Sequence, residues 1–240
     1  MLSAHQVTKR YGDTVAVDRL DLSVEPGEVL CLLGANGAGK TTTVQLFLGF
    51  AAPDDGAVAV GDFDPSRDPV SARRIVAYIP ENVMLYEELS GLENLALFDR
   101  LGGGSRSGEA YRDLLAAKGL DRARAEERVS TYSKGMRQKV GLAVAAAREA
   151  KALLLDEPMS GLDPAAANEF ADAVLAERDR GAAVLLTTHD IFRAKAMATR
   201  IGIMRAGVLT ETLDAQAVDA PEIERIYLSH MQAPIAEAAS

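Results

Sequence analysis

Five apolar residues, Val29-Leu30-Cys31-Leu32-Leu33, run directly into Gly34-Ala35-Asn36-Gly37-Ala38-Gly39-Lys40-Thr41. This order constrains the chain more than any other feature. A continuously apolar run reads as a strand covered on both faces. The glycine loop follows it, and 41–49 reads as a helix, so strand, loop and helix come in the order G-x-x-x-x-G-K-[ST] requires. The fold expected is therefore α/β. Gly34, Gly37 and Gly39 let the backbone turn tightly with no Cβ in the way. Their N–H groups, with the helix start behind them, form a nest for a β-phosphate. Asn36, Ala38 and Thr42 complete the candidate phosphate-binding set. Lys40 is placed to bridge β- and γ-oxygens, and the Thr41 hydroxyl to ligate Mg²⁺.

Such loops occur in many unrelated enzymes, and two later segments narrow the reading. Leu153-Leu154-Leu155-Asp156-Glu157 delivers Asp156 to the carboxyl end of a buried strand, where it can hold Mg²⁺. Glu157, one residue further on, can polarise a water toward a γ-phosphate. Upstream lies Ser133-Lys134-Gly135-Met136-Arg137-Gln138. Ser133 can cap a helix, and a capped helix start is a second phosphate site. The first site does not need a second one on its own chain. The pair of features points to an ATPase whose site is shared between two copies.

Composition excludes several classes. A chain of 240 residues with 48% hydrophobic and 25% charged residues can bury a sizeable core. Cys31 is the single cysteine, so no internal disulfide is possible; inside an apolar strand it reads as an inert core thiol. The net charge of −9 argues against a nucleic-acid partner. No apolar run approaches the roughly 18 residues of a membrane span, and the first residues lack a signal-peptide pattern. The expected location is cytoplasmic, with any membrane part supplied by another polypeptide.

Val15, Val17, Leu20, Leu22 and Val24 alternate with polar residues, as in an antiparallel sheet with one wet face. Glu25-Pro26-Gly27-Glu28 is a turn. Short strands are expected at 56–61 and 74–79, the latter stopped by Pro80. From about 91 to 148 apolar residues recur at helical spacing, interrupted by a flexible loop at 102–108. Strand signals return at 152–155 and 184–187, with a helix between them. Asp163 can cap that helix, Pro164 suits its first turn and Gly181 follows its end. Residues 200–204 and 208–209 read as a hairpin, Glu222–His230 as a short helix, and 232–240 as a frayed Ala-rich tail. Strands that should pair lie on both sides of the helical block. That block is therefore an insertion and not a separate domain.

Together these motifs resemble the ATP-binding subunits of ABC transporters, over nearly the whole chain from Leu2 to Gly207. The resemblance implies a P-loop NTPase with a RecA-like core, an N-terminal antiparallel β subdomain and an inserted α-helical subdomain. The expected division is an ATPase domain at 1–220, with core at 1–88 and 151–220 and helical subdomain at 89–150, then a tail at 221–240. It further implies that Tyr11 stacks on adenine and that Ser133 and Gly135 meet the partner's ATP. Ser160-Gly161-Leu162-Asp163 would cross the dimer interface, and His189 would contact the γ-phosphate. Glu157 would orient or deprotonate the attacking water.

Two positions depart from the family pattern. Lys134-Gly135-Met136 stands where the signature has Gly-Gly-Gln. Tyr78-Ile79-Pro80-Glu81 carries Glu81 where the family has a glutamine that ligates Mg²⁺. Glu81 can still offer oxygen to that cation. Some ABC-2-type export ATPases, and those of copper-site maturation for nitrous oxide reductase, are similar in this.

The resemblance thus implies ATP and Mg²⁺ as ligands and a head-to-tail dimer, either homodimeric or with a related ATPase subunit. It also implies a separate integral membrane permease at the inner face of the cell membrane. The short segment after the cassette favours ABC-2-type export. An importer subunit, a copper-site maturation ATPase and a non-transport cytosolic ATPase remain open. A second cassette, a long heptad coiled coil or loss of Glu157 would mark other branches, and none is seen.

Overall fold

The computed structural model describes residues 1–232; of the expected tail at 221–240, residues 233–240 lie outside them, while 221–232 belong to a final helix whose Ile223 is buried in the core. Strands β1 (Leu2–Tyr11) and β2 (Thr14–Val24) form an antiparallel hairpin. Next come β3 (Val29–Leu33), α1 (Lys40–Phe47) and β4 (Asp55–Val60), which pairs antiparallel with β1. Then follow α2 (Pro69–Arg74) and β5 (Val76–Ile79). A helical block contains α3 (Gly91–Leu101), α4 (Gly108–Ala117), α5 (Arg122–Ala125) and α6 (Lys134–Ala147). The chain continues through β6 (Ala152–Asp156), α7 (Pro164–Asp179), β7 (Ala183–Thr188) and α8 (Ile191–Met197). It closes with β8 (Arg200–Arg205), β9 (Val208–Asp214) and α9 (Ala220–Gln232).

The large sheet has the order β5-β6-β7-β3-β8-β9, parallel except for β9 against β8. The small sheet has the order β2-β1-β4. Pairing of β3, before the helical block, with β7 and β8, after it, bears out the reading of that block as an insertion. One shift from expectation has a local cause. Arg74 closes α2, capped by Asp68 with Pro69 at its start, so β5 begins only at Val76. β1 carries register irregularities, with Gln6 left-handed at φ 47°, and these blur its alternation in the sequence.

The central strands are apolar throughout because both faces are covered. Side chains alternate across a strand. Leu30, Leu32, Leu154 and Leu185 therefore join a core with α1 and the small sheet. Val29, Cys31, Leu33, Leu155 and Leu186 join a second core with α7, α8 and α9. Burial pushes the Cys31 thiol well up, as expected of an inert core cysteine. The helical block has a third core around Leu95, Tyr111, Leu115 and Val140. Helix α6 serves two of them: Leu142 and Ala145 face the main core, and Val140, Ala143 and Ala147 face the insert. The first turn of α6 is thereby fixed relative to both bodies.

Candidate active site

The strand order sets the carboxyl ends of β6, β7 and β3 side by side, the usual ligand position in an open parallel sheet. From β3 comes the glycine loop. Gly39 is left-handed (φ 103°), and a Cβ there would lie 2.4 Å from the Ala16 carbonyl oxygen. A Cβ at Gly34 would lie 2.4 Å from the Met204 carbonyl oxygen. Close backbone packing, as well as room for a phosphate, therefore demands glycine at these two positions. The Lys40 ammonium, on a side chain 6% exposed, donates to the Gly34 carbonyl at 2.6 Å and the Ala35 carbonyl at 3.2 Å. It closes the loop on itself. A cavity of about 430 Å³ opens beside it, walled by residues 35–42, by Thr14–Ala16 of the hairpin and by Glu157.

From β6 come Asp156 and Glu157. Asp156 accepts from the Thr187 hydroxyl at 2.6 Å and the Thr41 hydroxyl at 3.3 Å. Glu157 is left-handed (φ 48°), and its N–H donates to both the carbonyl and the hydroxyl of Thr187, at 3.2 and 3.1 Å. A non-glycine residue held this way is strained, and such strain gathers at functional sites. One carboxylate oxygen, Oε2, lies 3.0 Å from His189 Nδ1. The other, Oε1, is buried 3.5 Å from Lys40 Nζ and accepts no hydrogen bond among the described residues. An orphaned acceptor beside a buried ammonium is what a water-orienting base requires.

The expected cation ligands Thr41 and Asp156 meet. A hydroxyl and one carboxylate suit Mg²⁺, which takes few protein oxygens and completes its shell with phosphates and water. Glu81 is engaged elsewhere: its carboxylate accepts from Lys134 Nζ at 3.2 Å. That bond, then the Ser160 hydroxyl and the charges of Lys134 and His189, hold its carboxyl below the usual glutamate range. The two departures from the family pattern thus contact one another. Tyr78, beside β6, is shifted upward by burial and then by the Asp156 charge.

Ser133 caps α6, accepting from the Met136 N–H at 3.3 Å, and Gly135 is buried in its first turn. Neither lines the cavity beside Lys40. Asp163 caps α7 through the N–H groups of Ala165 and Ala166, as its sequence context indicates. Tyr11 ends β1, half-exposed, with Lys9 Nζ 5.4 Å from its ring centre, and is not part of the cavity wall. Sequence reasoning gave no role to Thr187 or Gln138. Thr187 carries a signal in hindsight: a fully buried hydroxyl in the strand next to the acidic pair needs a partner.

Residues 17–160 match the ABC transporter family. The chain is 38% identical over 203 residues to the daunorubicin/doxorubicin resistance ATP-binding protein DrrA of Streptomyces peucetius, covering 84% of this chain and 61% of that protein. It is 33% identical to the bacitracin transport ATP-binding protein BcrA of Enterococcus faecalis, covering 89% and 69%. This chain therefore spans under two thirds of the former relative's length. A solved ATP-binding subunit of an ABC transporter shares 28% identity, with a TM-score of 0.83 over 97% of this chain and 100% of that one. The dimeric ABC transporter cassette MJ0796 shares the fold at 24% identity and a TM-score of 0.79, over 90% and 99%. By the family match and these relatives, the chain belongs to the ABC transporter family as one of its ATP-binding proteins.

Proposed function

We propose that the chain hydrolyses MgATP at sites shared between two copies, and so drives export through a separate membrane permease. One observation carries this: the carboxylate of Glu157 lies between Lys40 and His189, with one buried oxygen that accepts no hydrogen bond among the described residues. That arrangement suits activation of water against a γ-phosphate. In the proposed reaction Lys40 and the loop N–H groups hold the β- and γ-phosphates. Glu157 orients the water and accepts its proton, and His189 steadies Glu157 and the γ-phosphate. Mg²⁺, held by Thr41 and Asp156, would neutralise charge between the two phosphates.

The shared site draws support from Ser133 and Gly135. Ser133 is an exposed cap at a helix start outside the cavity beside Lys40, available to a second chain, with Gly135 buried in the turn behind it. ATP would join two copies, and its hydrolysis would loosen them, converting phosphate binding into subunit motion. A homodimer and a pair with a related ATPase subunit both fit. The export direction is drawn from the two relatives, one a daunorubicin/doxorubicin resistance protein and the other a bacitracin transport protein. No helix among the described residues is long and apolar enough to cross a membrane, so the path for substrate would lie in a partner. Placement at the inner membrane face follows from that partnership.

The test is Glu157→Gln with MgATP on gel filtration. The variant is expected to bind ATP, lose turnover and elute as a stable dimer. A variant that binds MgATP yet stays monomeric at all concentrations would overturn the shared site.

A further inference from the structure

Two walls of the cavity beside Lys40 come from separate parts of the chain. Residues 35–42 form one, and Thr14–Ala16 of the β1–β2 hairpin form the other. Among the described residues, no hydrogen bond runs directly between them. A residue outside the cavity fastens both. The Gly207 N–H donates to the Ala38 carbonyl at 2.9 Å, and the Gly207 carbonyl accepts from the Asp18 N–H at 2.9 Å. Gly207 belongs to the two-residue turn between β8 and β9, where Arg205 pairs with Val208. Ala206 (φ 47°) and Gly207 (φ 85°) are both left-handed, as so tight a hairpin turn requires. The turn also packs against both walls. A Cβ on Gly39 would lie 3.3 Å from the Gly207 Cα, and a Cβ on Gly207 would lie 3.1 Å from the Ala16 carbonyl.

We propose that Gly207 is a positioning residue for the nucleotide, setting the distance between a phosphate wall and a nucleoside wall. The inference rests on the MgATP reading above. With the phosphates on 35–42, the part of the cavity bounded by Thr14–Ala16 is left for the nucleoside. A ligand that spans both walls binds well only when their separation matches its length, so a preset spacing favours it. A ligand made of phosphate alone meets one wall and is indifferent to that separation. The loop side of the fastening is rigid. The turn is carried by β8, which pairs with β3, the strand that leads into the glycine loop. Met204, just before the turn, packs under the loop, its methyl carbon 2.8 Å from where a Gly39 Cβ would be. The hairpin is therefore the side that gives when the fastening at Gly207 is disturbed.

The test compares ATP with inorganic tripolyphosphate, each with Mg²⁺, by titration calorimetry on the full chain. Gly207→Ala sets a Cβ against the Ala16 backbone and pushes the hairpin off the loop. Asp18→Pro deletes the N–H that meets the Gly207 carbonyl and leaves the turn itself untouched. Asp18 lies on β2, an edge strand, where proline is tolerated. Each variant is expected to weaken ATP binding about three- to tenfold, the range of one hydrogen bond, with tripolyphosphate within about twofold of wild type. A general loosening of the fold would weaken both ligands alike. Asp18→Pro decides the matter where Gly207→Ala does not fold. Equal losses for the two ligands, or wild-type ATP affinity in Asp18→Pro, would overturn the proposal while leaving the MgATP reading intact. A wild-type chain that binds neither ligand would remove the MgATP reading itself.

Discussion

The Thr187 hydroxyl donates to Asp156 over 2.6 Å and accepts from the N–H of Glu157 over 3.1 Å. One oxygen on β7 thus sets the candidate metal ligand and the candidate base together. Thr187→Val keeps the β-branched shape and deletes the hydroxyl. A hydrogen bond to a charged group contributes roughly 1.5–3 kcal/mol, so kcat should fall about ten- to a hundredfold with ATP affinity little changed. Thr187→Ser should recover most of the rate. Steady-state kinetics decide it: wild-type kcat in Thr187→Val would show that neither carboxylate depends on this oxygen.

Lys40 offers a separable prediction, because its ammonium does two things. It closes the loop on the Gly34 and Ala35 carbonyls and stands ready for phosphate oxygens. Lys40→Ala should weaken ATP binding by more than about tenfold, as expected when a buried charge-assisted contact is lost. Lys40→Arg should not rescue it, since a planar guanidinium cannot fill a point-charge position between two carbonyls. Titration calorimetry with ATP reads both, and unchanged affinity in Lys40→Ala would contradict the phosphate role.

Much of this site was legible from local pattern. The glycine loop, Asp156, Glu157 and the Asp163 cap each follow from short-range rules, and each side chain is where those rules put it. The Ser90–Glu93 capping box of α3 is an equally local pattern, with both reciprocal bonds formed. What could not be read is contact between segments far apart in sequence. Glu81 and Lys134 are 53 positions apart, and nothing local tells that two unusual residues neutralise each other. The demand for glycine at 34 and 39 likewise depends on Met204 and Ala16, brought close only by the sheet order.

Acid should weaken the fold through identifiable carboxylates. The N–H of Ser90 holds Glu93 below its ordinary range, and the N–H of Arg10, then Lys9, does the same for Asp54. A depressed folded-state pKa contributes stability above the unfolded value, about pH 4, and loses it as pH falls through the folded value. Glu93→Gln should therefore lower the melting temperature at pH 6–7, with the gap from wild type closing as pH falls below about 4. Thermal scans across pH test this. A gap that stays constant down to pH 3 would mean that the charge of Glu93 is not its source.

Lys118 and Glu177 join the helical block to α7. Lys118 donates to the Glu177 carboxylate with its own side chain 1% exposed, and Arg180 adds a bond to the same oxygen at 2.7 Å. Removing one member of a buried pair leaves the other uncompensated, at a typical cost of 3–5 kcal/mol. Arg180 remains to soften that cost, so Lys118→Met should destabilise by about 2–4 kcal/mol, or roughly 4–16 °C in Tm. Adding Glu177→Leu removes the stranded carboxylate and lets Arg180, already mostly exposed, turn to water. The double variant should regain most of the loss, because an apolar pair of similar volume does not require desolvating ions. Urea unfolding of the two variants separates the cases. If the double variant is no more stable than Lys118→Met, the cost lies in packing at the junction of insert and core and not in an unpaired charge.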